Sequence, residues 1–199
     1  ELTMDEGLYW YSFKYTSDHG TFFVTKTATS LGIVSVEGEN WQLTVYSKNF
    51  STPDWLKGGL IYQIYVDRFC KKGKVEAREP LIMRNDWGGG IQKNTTDPLI
   101  INREVFGGNF AGIVSKLNYL KDLGVTTIYL NPIGMANSSH KYDTADYMRV
   151  DPMFGSEKEF KELIDEAAKR GIGIVFDGVY NHTGSDSIYF NRYGRFDTL

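Results

Sequence analysis

Gly171-Ile-Gly-Ile-Val-Phe-Asp-Gly-Val-Tyr-Asn-His182 has the pattern of a short buried strand that runs into a polar loop. Ile172–Phe176 is an apolar run after a glycine, which predicts a strand that is buried on both faces. Asp177 stands at the end of this strand, and Asn181 and His182 follow in the next loop. Polar groups at the carboxyl ends of parallel strands line the ligand sites of α/β enzymes. The stretch therefore predicts a parallel α/β fold with a candidate site after this strand.

Two amphipathic helices lie in the second half of the chain. Asn109 is the predicted N-cap of the first helix, and Gly124 is its predicted stop. Ser156 and Glu159 form a predicted capping box for the second helix, which ends at Gly171. The apolar positions at helical spacing are Ile113, Leu117 and Leu120 in the first helix and Phe160, Leu163, Ile164, Ala167 and Ala168 in the second. Each helix is thus expected to turn one apolar face to a core.

Strands and helices alternate in this part of the chain. The predicted strands are Leu60–Val66, Thr126–Leu130 and Ile172–Phe176. The two longest connections, residues 67–108 and 131–155, each follow a strand, which predicts βαβ units, a parallel sheet and functional loops at the carboxyl ends of the strands. A complete eight-stranded barrel needs about 250 residues, and roughly 140 follow Gly59. We therefore expect the N-terminal part of a (β/α)8 TIM barrel, with about three strands.

Residues 1–50 predict a β structure of a different kind. The segments rich in aromatic and β-branched residues are Gly7–Tyr15, Thr21–Thr25 and Trp41–Tyr46. About three or four such strands form a sheet but do not close a sandwich. We therefore expect residues 1–50 to be the last strands of an N-terminal β-sandwich domain. Residues 51–199 are then the first part of the barrel, and the boundary lies at Ser51–Asp54.

The overall composition narrows the classes of partner. The chain has 41% hydrophobic and 24% charged residues and a formal net charge of -3. A globular chain with so little net charge is not expected to bind nucleic acid or an anionic membrane. The single cysteine excludes a disulfide within the chain. The start of the chain has no signal-peptide pattern, and the sequence does not decide between a cytoplasmic and a secreted location.

Four polar or aromatic side chains are expected on one rim of the sheet. His140 and Tyr142 follow the second predicted strand, and Asp177 and His182 follow the third. An aromatic face packs on the apolar side of a sugar ring, while imidazole and carboxylate groups bind hydroxyls. Each residue also has an ordinary structural explanation, since loop residues are commonly structural and Asp177 could bond the amides of its own loop. A metal site at Asn181 rests on a lone Asn–His pair.

Nine segments follow one another in an order that is specific to one protein family. They are Trp41-Gln-Leu-Thr-Val-Tyr46, Thr52-Pro-Asp-Trp-Leu-Lys-Gly-Gly59, Tyr62-Gln-Ile-Tyr-Val-Asp-Arg-Phe69, Phe106-Gly-Gly-Asn109, Leu117-Asn-Tyr-Leu-Lys-Asp-Leu-Gly-Val125, Tyr129-Leu-Asn-Pro132, His140–Tyr147, Val150-Asp-Pro-Met-Phe-Gly155 and Asp177–His182. In this order the chain resembles the α-amylase family of glycoside hydrolases, close to the neopullulanase and α-amylase-type pullulanase group.

The resemblance implies a carbohydrate-binding-like β-sandwich that ends near residue 50 and a (β/α)8 catalytic barrel after it. It implies that His182 binds the sugar and that Asp177 orders the site. By the same resemblance Tyr142 stacks on this sugar, with His140 beside it. Asn181 matches a position that binds calcium in many α-amylases, so calcium is the cofactor that the resemblance suggests.

The implied activity is retaining hydrolysis of α-glucosidic bonds in starch, pullulan or maltooligosaccharides. In the family, the nucleophilic aspartate, the acid/base glutamate and a third carboxylate follow the fourth, fifth and seventh barrel strands. These strands are expected beyond Leu199, so no catalytic residue is assigned and residues 1–199 are expected to be inactive alone. The alternatives are a non-catalytic α-glucan-binding module and a glucanotransferase of the same family. Exposed barrel edges also predict self-association.

Overall fold

The computed structural model describes residues 4–35, 37–92, 96–97 and 100–196. The chain divides into two compact units, Glu1–Thr52 and Pro53–Leu199. The described residues do not include 1–3, 36 and 197–199 of the predicted domains. They also do not include residues 93–95 and 98–99 of the first long connection. The domain assignments, a sandwich end at 1–50 and a truncated barrel at 51–199, stay predictions.

The first unit consists of short antiparallel strands in two sheets. The strands are β1 (Gly7–Tyr11), β2 (Phe13–Ser17), β3 (Gly20–Lys26), β4 (Gly32–Val34) and β5 (Trp41–Val45). β1 pairs with β5, and β2, β3 and β4 form the other sheet in that order. The single strand predicted at Gly7–Tyr15 is wrong, because Ser12 interrupts it and its two halves pair with different partners. The short strand β4 has no counterpart among the predicted strands.

The second unit is built on a parallel three-stranded sheet. The strands of the whole unit are β6 (Leu60–Ile64), β7 (Ile82–Met83), β8 (Glu104–Val105), β9 (Val125–Leu130), β10 (Gly134–Ala136), β11 (Thr144–Val150) and β12 (Gly173–Phe176). Its helices are α1 (Val66–Phe69), α2 (Phe110–Asp122) and α3 (Glu157–Ala168). β6, β9 and β12 lie side by side in chain order and run parallel. The predicted βαβ order is therefore confirmed.

β9 is the central strand of this sheet, and β6 and β12 are its edges in the described part of the chain. Ile128 and Leu130 of β9 are fully buried. In contrast, Ile61 of β6 is 55% exposed and Phe176 of β12 is 51% exposed. The prediction that Ile172–Phe176 is buried on both faces is wrong for this chain, since β12 pairs with β9 alone among the described strands.

Both long helices begin as their caps predict. The Asn109 side chain accepts a hydrogen bond from the Gly112 N–H at 2.8 Å. Ser156 and Glu159 form the complete capping box at the start of α3. Gly124 follows α2 with a φ of 88°, a conformation that glycine adopts without steric cost.

The apolar faces of α2 and α3 form much of the core. The predicted core positions of α2 are fully buried, namely Ile113, Leu117 and Leu120. In α3, Leu163 and Ala167 are buried, but Ile164 and Ala168 are exposed, so the predicted apolar face of α3 is too wide. Among the described residues, the helices are too short or too polar to span a membrane.

The connections after β6 and β9 contain structure that the sequence pattern does not predict. Val66 begins α1 instead of extending the first strand. Residues 70–105 include the short parallel pair β7–β8, and residues 131–155 include the antiparallel hairpin β10–β11. The register of this hairpin shifts on both sides of Met135, which breaks the alternation by which a strand is recognised.

One buried aspartate closes each of these two connections. Asp67 Oδ1 accepts hydrogen bonds from the N–H groups of Phe106 and Gly107, both at 2.9 Å, and so joins the two ends of the first connection. Asp151 Oδ2 accepts from the N–H of Ala136 at 3.3 Å and joins the two strands of the second. Both aspartates are fully buried. Because a buried carboxylate is costly without hydrogen bonds, these contacts hold the connections in one shape.

Replacing Ser156 with alanine should lower the free energy of unfolding by about 1 kcal/mol, because the side chain that caps α3 is lost. Urea denaturation of the intact protein and of its Ser156→Ala variant measures the difference. Ser185→Ala is the matched control, since Ser185 is exposed and lies outside the helices. A loss in the control as large as in Ser156→Ala would contradict the role of the cap.

Residues 1–199 produced alone should self-associate through the exposed strands β6 and β12, because unpaired strand edges recruit further strands. Light scattering after size exclusion should give masses above the 22.6 kDa of one chain. Ile61→Lys, in β6, should shift the mass toward that of one chain, whereas Tyr119→Lys, on the exposed surface of α2, should not. A cooperatively melting monomer of the unsubstituted chain would contradict this prediction.

Candidate active site

The candidate site is centred on Asp177, which directly follows β12. The Asp177 N–H donates to the carbonyl of Leu130 at 3.0 Å, so the parallel ladder continues one residue beyond the strand. Its Oδ2 atom accepts hydrogen bonds from the hydroxyls of Tyr129 at 3.0 Å and Tyr142 at 3.2 Å. Asp177 also accepts from the N–H of Val179 through Oδ1 at 3.2 Å, so it bonds its own loop as well.

A chain of side-chain hydrogen bonds extends from Asp177 to the first strand of the sheet. Asn131, which follows β9, donates from Nδ2 to the Tyr142 hydroxyl at 3.4 Å. Gln63 in β6 donates from Nε2 to Asn131 Oδ1 at 2.9 Å. The polar network therefore crosses the carboxyl ends of all three parallel strands.

Sequence reasoning missed three members of this network, Gln63, Tyr129 and Asn131. A signal for Gln63 was present, because it is a polar residue in an otherwise apolar strand. Gln63 and Tyr129 are register partners across β6 and β9. Pairing of the two residues follows only from the strand register, which a single sequence does not provide.

The two hydroxyl donors on Asp177 are held in their neutral form. The hydrogen bond to Asp177 raises the pKa of Tyr129 above its ordinary value of 10.0. Burial, followed by the charge of Asp177, raises the pKa of Tyr142. Both phenols therefore stay protonated at neutral pH and remain hydrogen-bond donors.

His140 lies beside Tyr142, with 5.9 Å between the ring centroids. The Tyr142 N–H donates to His140 Nδ1 at 3.0 Å, so Nδ1 is the unprotonated nitrogen of the neutral ring. Burial lowers the pKa of His140 below 6.5, which keeps the ring neutral at pH 7. The neutral ring therefore carries its hydrogen on Nε2, which has no hydrogen-bond acceptor among the described residues and can donate to a ligand.

His182 is exposed on the loop after Asp177. Its ring nitrogen Nδ1 is hydrogen-bonded to Asn181 Oδ1, and its carbonyl accepts from the Tyr147 hydroxyl at 2.5 Å. The same hydroxyl oxygen lies 2.9 Å from the carbonyl oxygen of Val179, so its one hydrogen is shared between two carbonyls of this loop and Tyr147 of β11 holds the loop in place. Of the four predicted site residues, contacts join His140, Tyr142 and Asp177, whereas the contacts of His182 lie to Asn181 and Tyr147. A sugar site shared by all four stays a prediction.

A cavity of about 270 Å³ lies on one side of Asp177. Tyr147, Phe176 and Tyr180 contribute most of its aromatic lining. The cavity extends from Asp177 toward α3 and is lined there by Phe160. Asp177 thus belongs both to the lining of this cavity and to the polar network of Tyr129 and Tyr142.

The predicted calcium position, Asn181, follows Asp177 on the same loop. Calcium takes about six to eight oxygen ligands, and Asn181 Oδ1 is already hydrogen-bonded to His182. Within residues 4–35, 37–92, 96–97 and 100–196, no three His, Cys, Asp or Glu side chains are grouped to hold a metal ion. Asn181 as a calcium ligand stays a prediction.

Comparison with known proteins identifies the family. The model of the α-amylase catalytic domain matches residues 63–197. An amylopullulanase of Thermoanaerobacterium saccharolyticum is 46% identical over 81% of this chain and 14% of its own length. Neopullulanase 2 of Thermoactinomyces vulgaris is 40% identical over 72% of this chain and 23% of its own length. The chain therefore spans less than a quarter of the length of these two relatives.

Solved structures agree with this result. The type III pullulan hydrolase from Thermococcus kodakarensis matches with a TM-score of 0.58 and 34% identity, over 85% of this chain and 32% of that one. The cyclic α-maltosyl-(1→6)-maltose hydrolase from Arthrobacter globiformis matches with a TM-score of 0.60 and 33% identity, over 71% of this chain and 29% of that one. The match to the domain model covers well over half of the sequence and includes β9, β12 and the last two residues of β6. The chain belongs to the α-amylase family, and its parallel sheet is part of that family's catalytic-domain fold.

Proposed function

We propose that the protein to which this chain belongs is a retaining glycoside hydrolase that acts on α-glucosidic bonds of starch, pullulan or maltooligosaccharides. The observation that carries the proposal is the Tyr129–Asp177–Tyr142 cluster at the carboxyl ends of the strands in a member of the α-amylase family. The names of the relatives, amylopullulanase and neopullulanase, favour pullulan as a substrate.

The proposed task of this chain is to bind one sugar unit. The ring of Tyr142 offers an aromatic face for the apolar side of the sugar, and Nε2 of the neutral His140 donates to a hydroxyl. Asp177 fixes the Tyr142 hydroxyl at 3.2 Å and so sets the orientation of the ring. His182, on the loop that Tyr147 holds in place, is proposed to bind the same sugar.

The bond-breaking step needs two further carboxyl groups. In a retaining mechanism one carboxylate attacks the anomeric carbon, while a carboxylic acid protonates the leaving oxygen. Water then releases the glycosyl group from the covalent intermediate. We propose that residues outside 1–199 supply both groups. This chain then contributes binding and orientation, which by themselves do not cleave the bond.

The intact protein should release reducing sugar from pullulan or maltotriose, whereas residues 1–199 alone should not. General acid catalysis alone contributes roughly 10²–10⁴-fold, so the absence of both carboxyl groups should abolish measurable turnover. A reducing-end assay on both polypeptides measures this. Transfer products in place of free sugar would favour a glucanotransferase, and maltotriose binding without turnover by the intact protein would favour a binding module. Either result would contradict the proposed hydrolase.

Tyr142→Phe in the intact protein keeps the ring but removes the hydrogen bond to Asp177. A hydrogen bond to a charged group contributes about 1.5–3 kcal/mol, so kcat/KM on pullulan should fall by at least roughly 10-fold. Tyr142→Ala also removes the aromatic face and should lower kcat/KM roughly 100-fold. Tyr119→Phe is the matched control, because Tyr119 is exposed on α2. An unchanged kcat/KM in Tyr142→Ala would contradict the proposed binding role of this ring.

A further inference from the structure

Lys141, which lies between His140 and Tyr142, is fully buried. Its Nζ atom donates to Asp151 Oδ2 at 2.7 Å and to the carbonyl of Ala136 at 3.1 Å. A buried lysine is rare unless it is paired with an opposite charge. The side chain thus runs inward from the rim of the sheet and ends on the aspartate that closes the second connection.

The charge of Asp151 is already matched without Lys141. Arg78 donates to the same Oδ2 atom at 3.2 Å, and the Met153 N–H donates to Oδ1 at 3.0 Å. Burial alone would raise the pKa of Asp151, but the charges of Lys141 and Arg78 outweigh it and keep the pKa below its ordinary value. Two cations therefore face one carboxylate. Loss of one partner of a buried ion pair is costly when it leaves the other charge unpaired. Here Arg78 would still pair with Asp151 if Lys141 were replaced.

The backbone of Lys141 is strained. Its φ is 64°, in the left-handed region that residues with a side chain rarely adopt. Such a conformation costs on the order of 1–3 kcal/mol and persists only where the surroundings enforce it. Here the turn is enforced by the buried ion pair and by the Lys141 N–H, which donates to Ser138 Oγ at 3.0 Å.

We infer that Lys141 is a positioning residue, which anchors the strained turn so that His140 and Tyr142 are presented together to a glucan; this inference rests on the proposed function. The anchor is the ammonium group of Lys141, which is bound to the fully buried carboxylate of Asp151. This ion pair fixes how far the turn lies from the core and which way it points. Tyr142 receives its second constraint from Asp177, which directly follows β12. The two constraints together determine where the aromatic ring lies.

Lys141→Met in the intact protein tests the inference, because methionine has a similar length and no charge. The variant should fold, since Arg78 still pairs with Asp151. Its kcat/KM on pullulan should fall at least about 10-fold, because misplacement of binding groups by an ångström costs up to roughly 100-fold. The matched control is Lys161→Met, which breaks an exposed ion pair with Asp165 on α3 and should leave kcat/KM unchanged. Wild-type kcat/KM in Lys141→Met would overturn the inference.

Lys141→Gly provides a second variant. Glycine relieves the backbone strain at φ 64° but also lacks the anchor. The kcat/KM of Lys141→Gly should therefore fall as much as that of Lys141→Met. This variant tests the anchor even if Lys141→Met folds poorly. Full activity of Lys141→Gly would show that the anchor is dispensable and would overturn the inference.

A double-mutant cycle with Tyr142→Ala separates positioning from general stability. If Lys141 acts through the turn, Lys141→Met should lower kcat/KM by a smaller factor when Tyr142 is already alanine than in the wild-type background, where it misplaces both Tyr142 and His140. Full multiplication of the two losses would overturn the inference.

Hydrogen exchange gives a readout that does not depend on catalysis. Lys141→Met should speed the exchange of amides at 138–142 and leave α3 unchanged, and unchanged exchange at 138–142 overturns the inference. If the intact wild-type protein does not turn over glucan, the proposed function is contradicted. Hydrogen exchange would then still decide whether Lys141 anchors the turn.

Discussion

Parallel hydrogen bonding between β6, β9 and β12 determines where the residues of the candidate site lie. Because the three strands run in one direction, the residue after each strand emerges at the same edge of the sheet. The ladder continues past the strands, where Asn131 donates to Ile64 and Asp177 donates to Leu130, each at 3.0 Å. These backbone bonds bring Asn131 and Asp177 within reach of the same tyrosine hydroxyl. The site is thus a direct product of strand direction and register.

Buried carboxylates hold the loops that follow the parallel strands in one shape. Asp67 and Asp151 each close a long connection that follows a parallel strand, and each is fully buried. Their partners differ in kind: Asp67 accepts backbone amides and the neighbouring Arg68, whereas Asp151 takes Lys141 and Arg78 as well as amides. In both cases the hydrogen bonds compensate for desolvation of the charge and fix a loop that has little regular structure.

The sequence predicted the features of the fold that depend on residues near one another in the chain. Asn109 and Ser156 cap helices because each reaches an amide within three residues, and the alternation of helices and strands implied a parallel sheet. Features that depend on distant pairing were not predictable in the same way. Gln63 and Tyr129 enter the network through register, and the β10–β11 hairpin lacks regular alternation around Met135. Burial of β12 was overestimated because apolar content does not reveal how many neighbours a strand has.

The group of Lys141, Asp151 and Arg78 has a consequence for behaviour on heating. The hydration of ions becomes less favourable as temperature rises, so the cost of keeping these charges away from water falls, while the gain from apolar packing levels off. A loop that is held by this ion pair therefore loses less of its order on warming than a loop that is held by aliphatic contacts alone. Thermal tolerance of the loop that carries His140 and Tyr142 then follows from the charged side chain at position 141.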